Sequence, residues 1–327
     1  QYVWTTRQRA VPPGAPVVYR WVIVDGAGNR LETPKETVHY DDTRYTWQVA
    51  HEGLVTVLWY EGDERFGRAL LQAAVGATDR LARDAEIEPA FPVRIVVYAD
   101  LEAFKSAFLA LKQWTGGLAY PEMGLTVQVV SPRDQVALST VIPHEISHLV
   151  FYQATRHAYS APPAWLDEGL AVANETVSHR YQEGLVGRAA RQGRLHSLPV
   201  LSGGFPADPE EAHLAYAESY TLVRYVREAH GPSAIPALLA GFRQGLSGEE
   251  AVRAALGVSP QELEAGWRVW ALTLEPLPEL PPVSPLPRGE ARRWLPVGLA
   301  LVVCCGAGSV GLPLVALGAV LVLARQR

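Results

Sequence analysis

The spacing in His144-Glu145-Ile146-Ser147-His148 constrains this chain more than any other feature. Residues four apart on an α-helix project from one face, so the two imidazoles converge on one metal ion only if the segment is helical. The flanking residues agree, because the run from Val141 to Phe151 is largely apolar and reads as a helix over 141–156. Pro143 has no amide hydrogen and fits only a first helical turn, so this helix is expected to begin near Val141, with Ser139 or Thr140 as its cap. Glu145 lies beside the two histidines and is placed to take a proton from a metal-activated water rather than to join the ligands.

Two imidazoles do not make a catalytic zinc site. A third protein ligand is needed, with the fourth tetrahedral position left to water. Glu168 is the candidate: it follows His148 by 20 residues, inside Trp165-Leu166-Asp167-Glu168-Gly169-Leu170-Ala171, on a second expected helix over 163–176. Seven residues further on, Glu175 falls on the same helix face and is a candidate carboxylate behind a zinc-bound histidine. The Asn174-Glu175-Thr176 sequon reads as incidental, because it lies on the ligand-bearing helix rather than on an exposed loop.

Around this pair of helices the chain reads as strands first and helices after, which is an α+β arrangement. The first 50 or so residues alternate apolar and polar, with strands expected at 17–24, 37–40 and 46–49. A helix over 63–87, a strand over 93–98, a helix from Asp100 to Trp114 and a strand over 125–130 follow. Helices are expected at 212–230, 235–244, 248–256 and 260–272. With 48% hydrophobic and 19% charged residues the chain buries a core, and a net charge of −5 without any Lys/Arg-rich run excludes a nucleic-acid partner.

Three separated blocks, His144 to His148, Trp165 to Ala171, and His213-Leu214-Ala215-Tyr216-Ala217-Glu218-Ser219-Tyr220, resemble the gluzincin metallopeptidases, and most closely the peptidase MA-like metallohydrolases. The resemblance implies a zincin-like catalytic domain, in which a small sheet and an active-site helix are followed by a helical subdomain. It implies one Zn²⁺ per chain on His144, His148 and Glu168, Glu145 as general base, and a peptide or protein substrate. Tyr216 matches the tyrosine that stabilises the oxyanion; Tyr220, one turn later, is the runner-up, and His213 is a further candidate donor. Aminopeptidase-type relatives carry Gly-x-Met-Glu-Asn where this chain has Gly116-Gly117-Leu118-Ala119-Tyr120. Ala119 thus stands where their amine-binding carboxylate would be, which argues against aminopeptidase specificity unless Glu122 takes that place. The strand from Gly124 is expected to line the cleft and pair with substrate.

The expected organisation is a β-rich segment at 1–52, resembling the end of a β-sandwich, a catalytic domain at 53–274, a proline-rich stalk at 275–293, a transmembrane helix at 294–324 and a basic tail at 325–327. The span is long, uncharged and contains both cysteines, Cys304 and Cys305. Six prolines between Glu275 and Glu290 favour an extended rod of about 50 Å. The chain opens on Gln1 rather than Met and is read as either processed or incomplete, and the resemblance implies that the sandwich to which 1–52 would belong begins in earlier strands. Arg288, Arg292 and Arg293 before the span against Arg325 and Arg327 after it lean slightly toward a cytoplasmic body, but the exported character of the family resembled and the stalk favour a single-pass cell-membrane protein with its catalytic head outside. The alternative is a non-catalytic surface binding or scaffold protein that retains a zinc site.

Overall fold

The structure is a computed structural model that describes residues 11–108, 116–277 and 320–322. Four short strands come first. β1 (Ala15–Tyr19) pairs antiparallel with β4 (Glu36–Tyr40), and β2 (Val22–Val24) pairs antiparallel with β3 (Arg30–Glu32). The single strand expected over 17–24 is therefore two, because the chain changes partners at Arg20 and Trp21. Thr33 holds that crossing: its hydroxyl accepts from Trp21 N at 2.9 Å and its own amide donates to Trp21 O at 2.9 Å.

β5 (Gln48–Glu52), β6 (Val55–Trp59), β7 (Val93–Tyr98), β8 (Gly117–Tyr120) and β9 (Leu125–Val129) form one sheet in the order β5-β6-β7-β9-β8. β6, β7 and β9 are parallel to one another, and the two outer strands run antiparallel to their neighbours. The parallel strands are buried on both faces; β6 and β7 fill both mainly with apolar side chains, whereas one face of β9 carries Thr126 and Gln128. Two expectations need correction here. β5 forms a hairpin with β6, so a boundary between 52 and 53 cuts through this sheet. The strand that begins after Gly124 is interior, because β8 folds back over its outer side; the edge of the sheet on that side is β8.

α1 (Glu64–Ala85) connects β6 to β7, with the Asp63 side chain accepting from Phe66 N at 3.0 Å as its cap. Gly67 lets this helix close on the sheet, since a β-carbon there would lie 2.1 Å from the Trp59 indole. α2 (Leu101–Ser106) is capped by Asp100, and the remainder of the helix expected to reach Trp114 falls largely outside the described residues. α3 (Gln135–Ser139), α4 (Val141–Thr155), α5 (Ala164–Asn174), α6 (Arg180–Arg191) and α7 (Leu198–Gly203) are followed by α8 (Pro209–His230), α9 (Ala234–Arg243), α10 (Gly248–Leu256) and α11 (Pro260–Ala271). α3, α6 and α7 are additional to the expected helices; α3 and α7 are too short to show a helical period, whereas α6 carries one in Leu185, Val186, Ala189 and Ala190.

The main core lies between one face of the sheet and the helices, with Leu70, Ile95, Ile146, Leu149, Leu222 and Trp267 at its centre. A second cluster covers the other face, where Tyr98 and Phe104 pack beside the stacked rings of Tyr45 and Tyr60, 4.0 Å apart. This is an α+β fold. Among the described residues no helix is long and apolar enough to cross a membrane. The expected span at 294–324 lies outside the described residues except for β10 (Val320–Val322), which pairs in parallel with β2. Most of the stalk and the tail also lie outside them.

Candidate metal centre

α4 begins at Val141, with Pro143 in its first turn where no amide hydrogen is required. Thr140 occupies the cap position, but its hydroxyl donates back to Val136 O at 3.0 Å, which ties the end of α3 to the start of α4. The helix is buried along nearly its whole length, so His144 and His148 stand one turn apart inside the protein rather than on its surface. α5 packs against α4 and brings Glu168 to them. The three side chains offer ligand atoms that all lie within 4.8 Å of one another.

The distances fit a cation better than hydrogen bonds. Glu168 Oε2 is 3.4 Å from His144 Nε2 and 3.5 Å from His148 Nε2. A tetrahedral ion held at ~2.0–2.1 Å sets its ligand atoms about 3.3–3.4 Å apart. Glu168 Oε2 is buried and accepts no hydrogen bond, a costly state for a carboxylate oxygen unless a cation faces it. The far sides of the imidazoles are each tied to a carboxylate: His144 Nδ1 to Glu175 Oε1 at 2.9 Å, and His148 Nδ1 to Asp167 Oδ1 at 2.8 Å. A carboxylate oxygen only accepts, so each Nδ1 carries the hydrogen and each neutral ring presents the Nε2 lone pair to the centre. The cofactor that this donor set takes is zinc. Without an ion, burial opposes a charge on His148, but Asp167 and Glu168 outweigh it and lift its pKa to about 9.

Glu145 is buried on the same helix and lies outside the donor triangle, against the edge strand. A β-carbon on Gly117 would come within 2.6 Å of Glu145 Oε1, so the strand can lie this close only because residue 117 has no side chain. Ala119 shares that face of β8 and packs with the main core, while Leu118 and Tyr120 turn to the second cluster. Burial raises the Tyr120 pKa to about 12. Glu122 stands exposed on the turn Pro121–Met123, where its charge adds to burial in raising the Tyr152 pKa, well along α4 from Glu145.

α8 supplies the remaining candidates. Tyr216 is buried, its ring 6.2 Å from that of His144 and edge-on to Phe205 at 4.7 Å. Tyr220 is engaged elsewhere, donating to Glu183 Oε1 at 3.2 Å and stacking on His179 at 4.4 Å. His213 stacks on Tyr181 at 5.4 Å, and burial lowers its pKa. The structure thus brings together His144, Glu145, His148, Glu168, Glu175 and Tyr216, and gives Tyr220 and His213 partners on α6. Sequence reasoning missed Asp167 and Gly117. Asp167 had a signal, as a second carboxylate adjoining the third ligand; Gly117 had none, because its role exists only across the gap to α4.

The sequence profile of the Peptidase MA superfamily matches residues 73–273, more than half of the chain. No curated protein matches the chain in sequence. Among solved structures, Legionella pneumophila aminopeptidase A is similar at 13% identity and TM-score 0.38, over 77% of this chain and 28% of that one. An M1 zinc metallopeptidase from Deinococcus radiodurans is similar at 18% identity and TM-score 0.35, over 82% of this chain and 64% of that one. A mutant of that enzyme bound to a Tyr-Ser-Ala substrate aligns at 17% identity and TM-score 0.35, over 81% of this chain and 54% of that one. The chain therefore spans 28% of the first relative and between half and two thirds of the others. With its own residues 73–273 matched and the three donors assembled inside that stretch, the chain belongs to the Peptidase MA superfamily.

Proposed function

We propose that this chain is a zinc-dependent peptidase that hydrolyses peptide bonds with Glu145 as general base. The observation that carries this reading is the donor triangle of His144, His148 and Glu168 with the buried carboxylate of Glu145 beside it, facing the strand at the sheet's edge. Zn²⁺ held by the three donors would supply Lewis acidity, acidifying a water and polarising a carbonyl. Glu145 then accepts the proton of the attacking water on a carboxylate oxygen and passes it to the leaving amine nitrogen. Tyr216, whose ring lies beside that of His144, would donate its hydroxyl hydrogen to the developing oxyanion. Glu175 and Asp167 keep the imidazoles turned with Nε2 inward.

The outer side of β8 offers backbone groups to an extended peptide, which would lie as one more strand along the sheet. The site-facing side of that strand carries Gly117 and Ala119 and no carboxylate, so a substrate's free amino terminus meets no specific partner there. The reading is therefore of cleavage that does not require a free amino terminus. The uncharged run at 294–324 supports a membrane anchor, and the proline-rich stretch before it, suited to holding a catalytic head off a surface, favours the head outside. Protease added to intact cells should then release a zinc-containing head; a head protected until lysis reverses the orientation.

The activity is tested by incubating the zinc-loaded protein and Glu145→Gln with an unbiased peptide library. Cleavage by the parent and a loss of about 10²-fold or more in the variant, at equal zinc content, is the expected outcome. Near-parental turnover by Glu145→Gln would remove the mechanism.

A further inference from the structure

We infer that Arg80 and Asn174 are positioning residues for the metal centre, acting on it through Glu175. The inference rests on the zinc reading above. Asn174 is the last residue of α5 and is buried. Its Oδ1 accepts from Arg80 Nε at 2.9 Å, and its Nδ2 donates to Ser147 Oγ at 2.8 Å and lies 3.3 Å from both Pro143 O and Ala77 O. One amide thereby joins α1, α4 and α5. Its contacts on α4 adjoin the ligands, because Pro143 precedes His144 and Ser147 precedes His148. Its own chain neighbour is Glu175, whose carboxylate holds His144 Nδ1 at 2.9 Å.

The cation has a reason to be there. Glu175 sits at the C-terminal end of α5, where the helix's terminal carbonyls make the surroundings negative and work against a second negative charge. Arg80 places its guanidinium on that end, with Nε and Nη2 at 3.2 and 3.0 Å from Asn174 O. It does so although burial disfavours its charge. The fork of Arg80 thus fixes both the carbonyl and the side chain of the residue that precedes Glu175, and offsets the helix end that Glu175 faces. Asparagine suits position 174 because one end of its amide accepts from a guanidinium while the other, with two hydrogens, donates to a hydroxyl and faces two carbonyls. As a by-product, the sequon at Asn174 is closed to modification in the folded protein, since its nitrogen is enclosed among three helices.

A cross-link that served only to hold helices together would affect melting but not the metal. The test compares zinc dissociation constants, by chelator competition, and visible spectra of the cobalt-loaded protein. The samples are the parent, Arg80→Met, Arg80→Lys and Leu81→Ala, which removes a buried side chain from α1 one residue away from Arg80. Arg80→Met is expected to weaken zinc about tenfold or more and to shift the cobalt spectrum, with part of the affinity restored in Arg80→Lys. Leu81→Ala should melt lower yet hold zinc like the parent. Asn174→Asp, which keeps an acceptor for Arg80 but turns a carboxylate toward Pro143 O and Ala77 O, should weaken zinc as well; if it does not fold, the Arg80 variants decide. Unchanged affinity and spectrum in Arg80→Met would overturn the inference, and so would an equal zinc loss in Leu81→Ala. A parent protein that binds no zinc overturns the zinc reading and this inference together.

Discussion

Gly117 and Glu145 meet across the gap between the edge strand and the active-site helix, so closely that a β-carbon on residue 117 would lie 2.6 Å from Glu145 Oε1 and 2.9 Å from its Cδ. The strand and the carboxylate occupy their places only together. Gly117→Ala should therefore displace the Glu145 side chain while leaving all three metal donors untouched. The expected outcome is a loss of turnover of about tenfold or more, the scale on which small misplacements of reacting groups act. Zinc content should remain that of the parent. Parallel measurement of turnover and bound zinc checks this, and full activity in Gly117→Ala would mean that Glu145 has room to move without consequence.

The metal-free protein should carry a proton where zinc binds. With Asp167 and Glu168 holding the His148 pKa at about 9, above the ordinary 6.5, the pairing stabilises the metal-free fold fully below about pH 6.5 and loses that contribution as pH rises through about 9. Zinc must displace the same proton, so its affinity should rise with pH up to about 9 and level off above. Calorimetric titration at pH 7 in buffers of different ionisation enthalpy should detect proton release on binding. A reaction that releases no proton at pH 7 would contradict the raised value.

The proposed substrate preference rests on the face of β8 that carries Gly117 and Ala119. Peptides with acetylated amino termini should be cut at least as fast as their free counterparts. Mass spectrometry of timed digests distinguishes this from stepwise removal of single residues; if only free termini are processed, Glu122 is the carboxylate to replace first.

Stability offers a test independent of the metal. Gly67→Ala sets a methyl group 2.1 Å from the Trp59 indole and should cost about 1–3 kcal/mol, as overpacking of a filled interior does. The loss should appear in denaturant melts of the zinc-free and zinc-loaded protein alike. A neutral outcome would show that α1 can lift from β6 without cost.

Neighbours along the chain settle the local elements and relate the candidate ligands on α4. Val93–Tyr98, Gly248–Leu256 and the start of α4 at Val141 fall where periodicity and the position of Pro143 put them, because each depends on neighbours in the chain. The donors His144 and His148 were legible for the same reason: one helical turn relates them. Glu168 needed its own helix and a spacing comparison, and Asp167 escaped notice although it adjoins Glu168. The relationships between distant segments belong to the tertiary structure. It put β8 rather than β9 at the sheet's edge, set Gly117 against Glu145, turned Tyr220 toward Glu183 while leaving Tyr216 beside His144, and closed Asn174 between α1 and α4. Helical period tells which residues share a face, but Tyr216 and Tyr220 share one; which of them meets the metal centre depends on what packs opposite, and that is written in no single stretch of the chain.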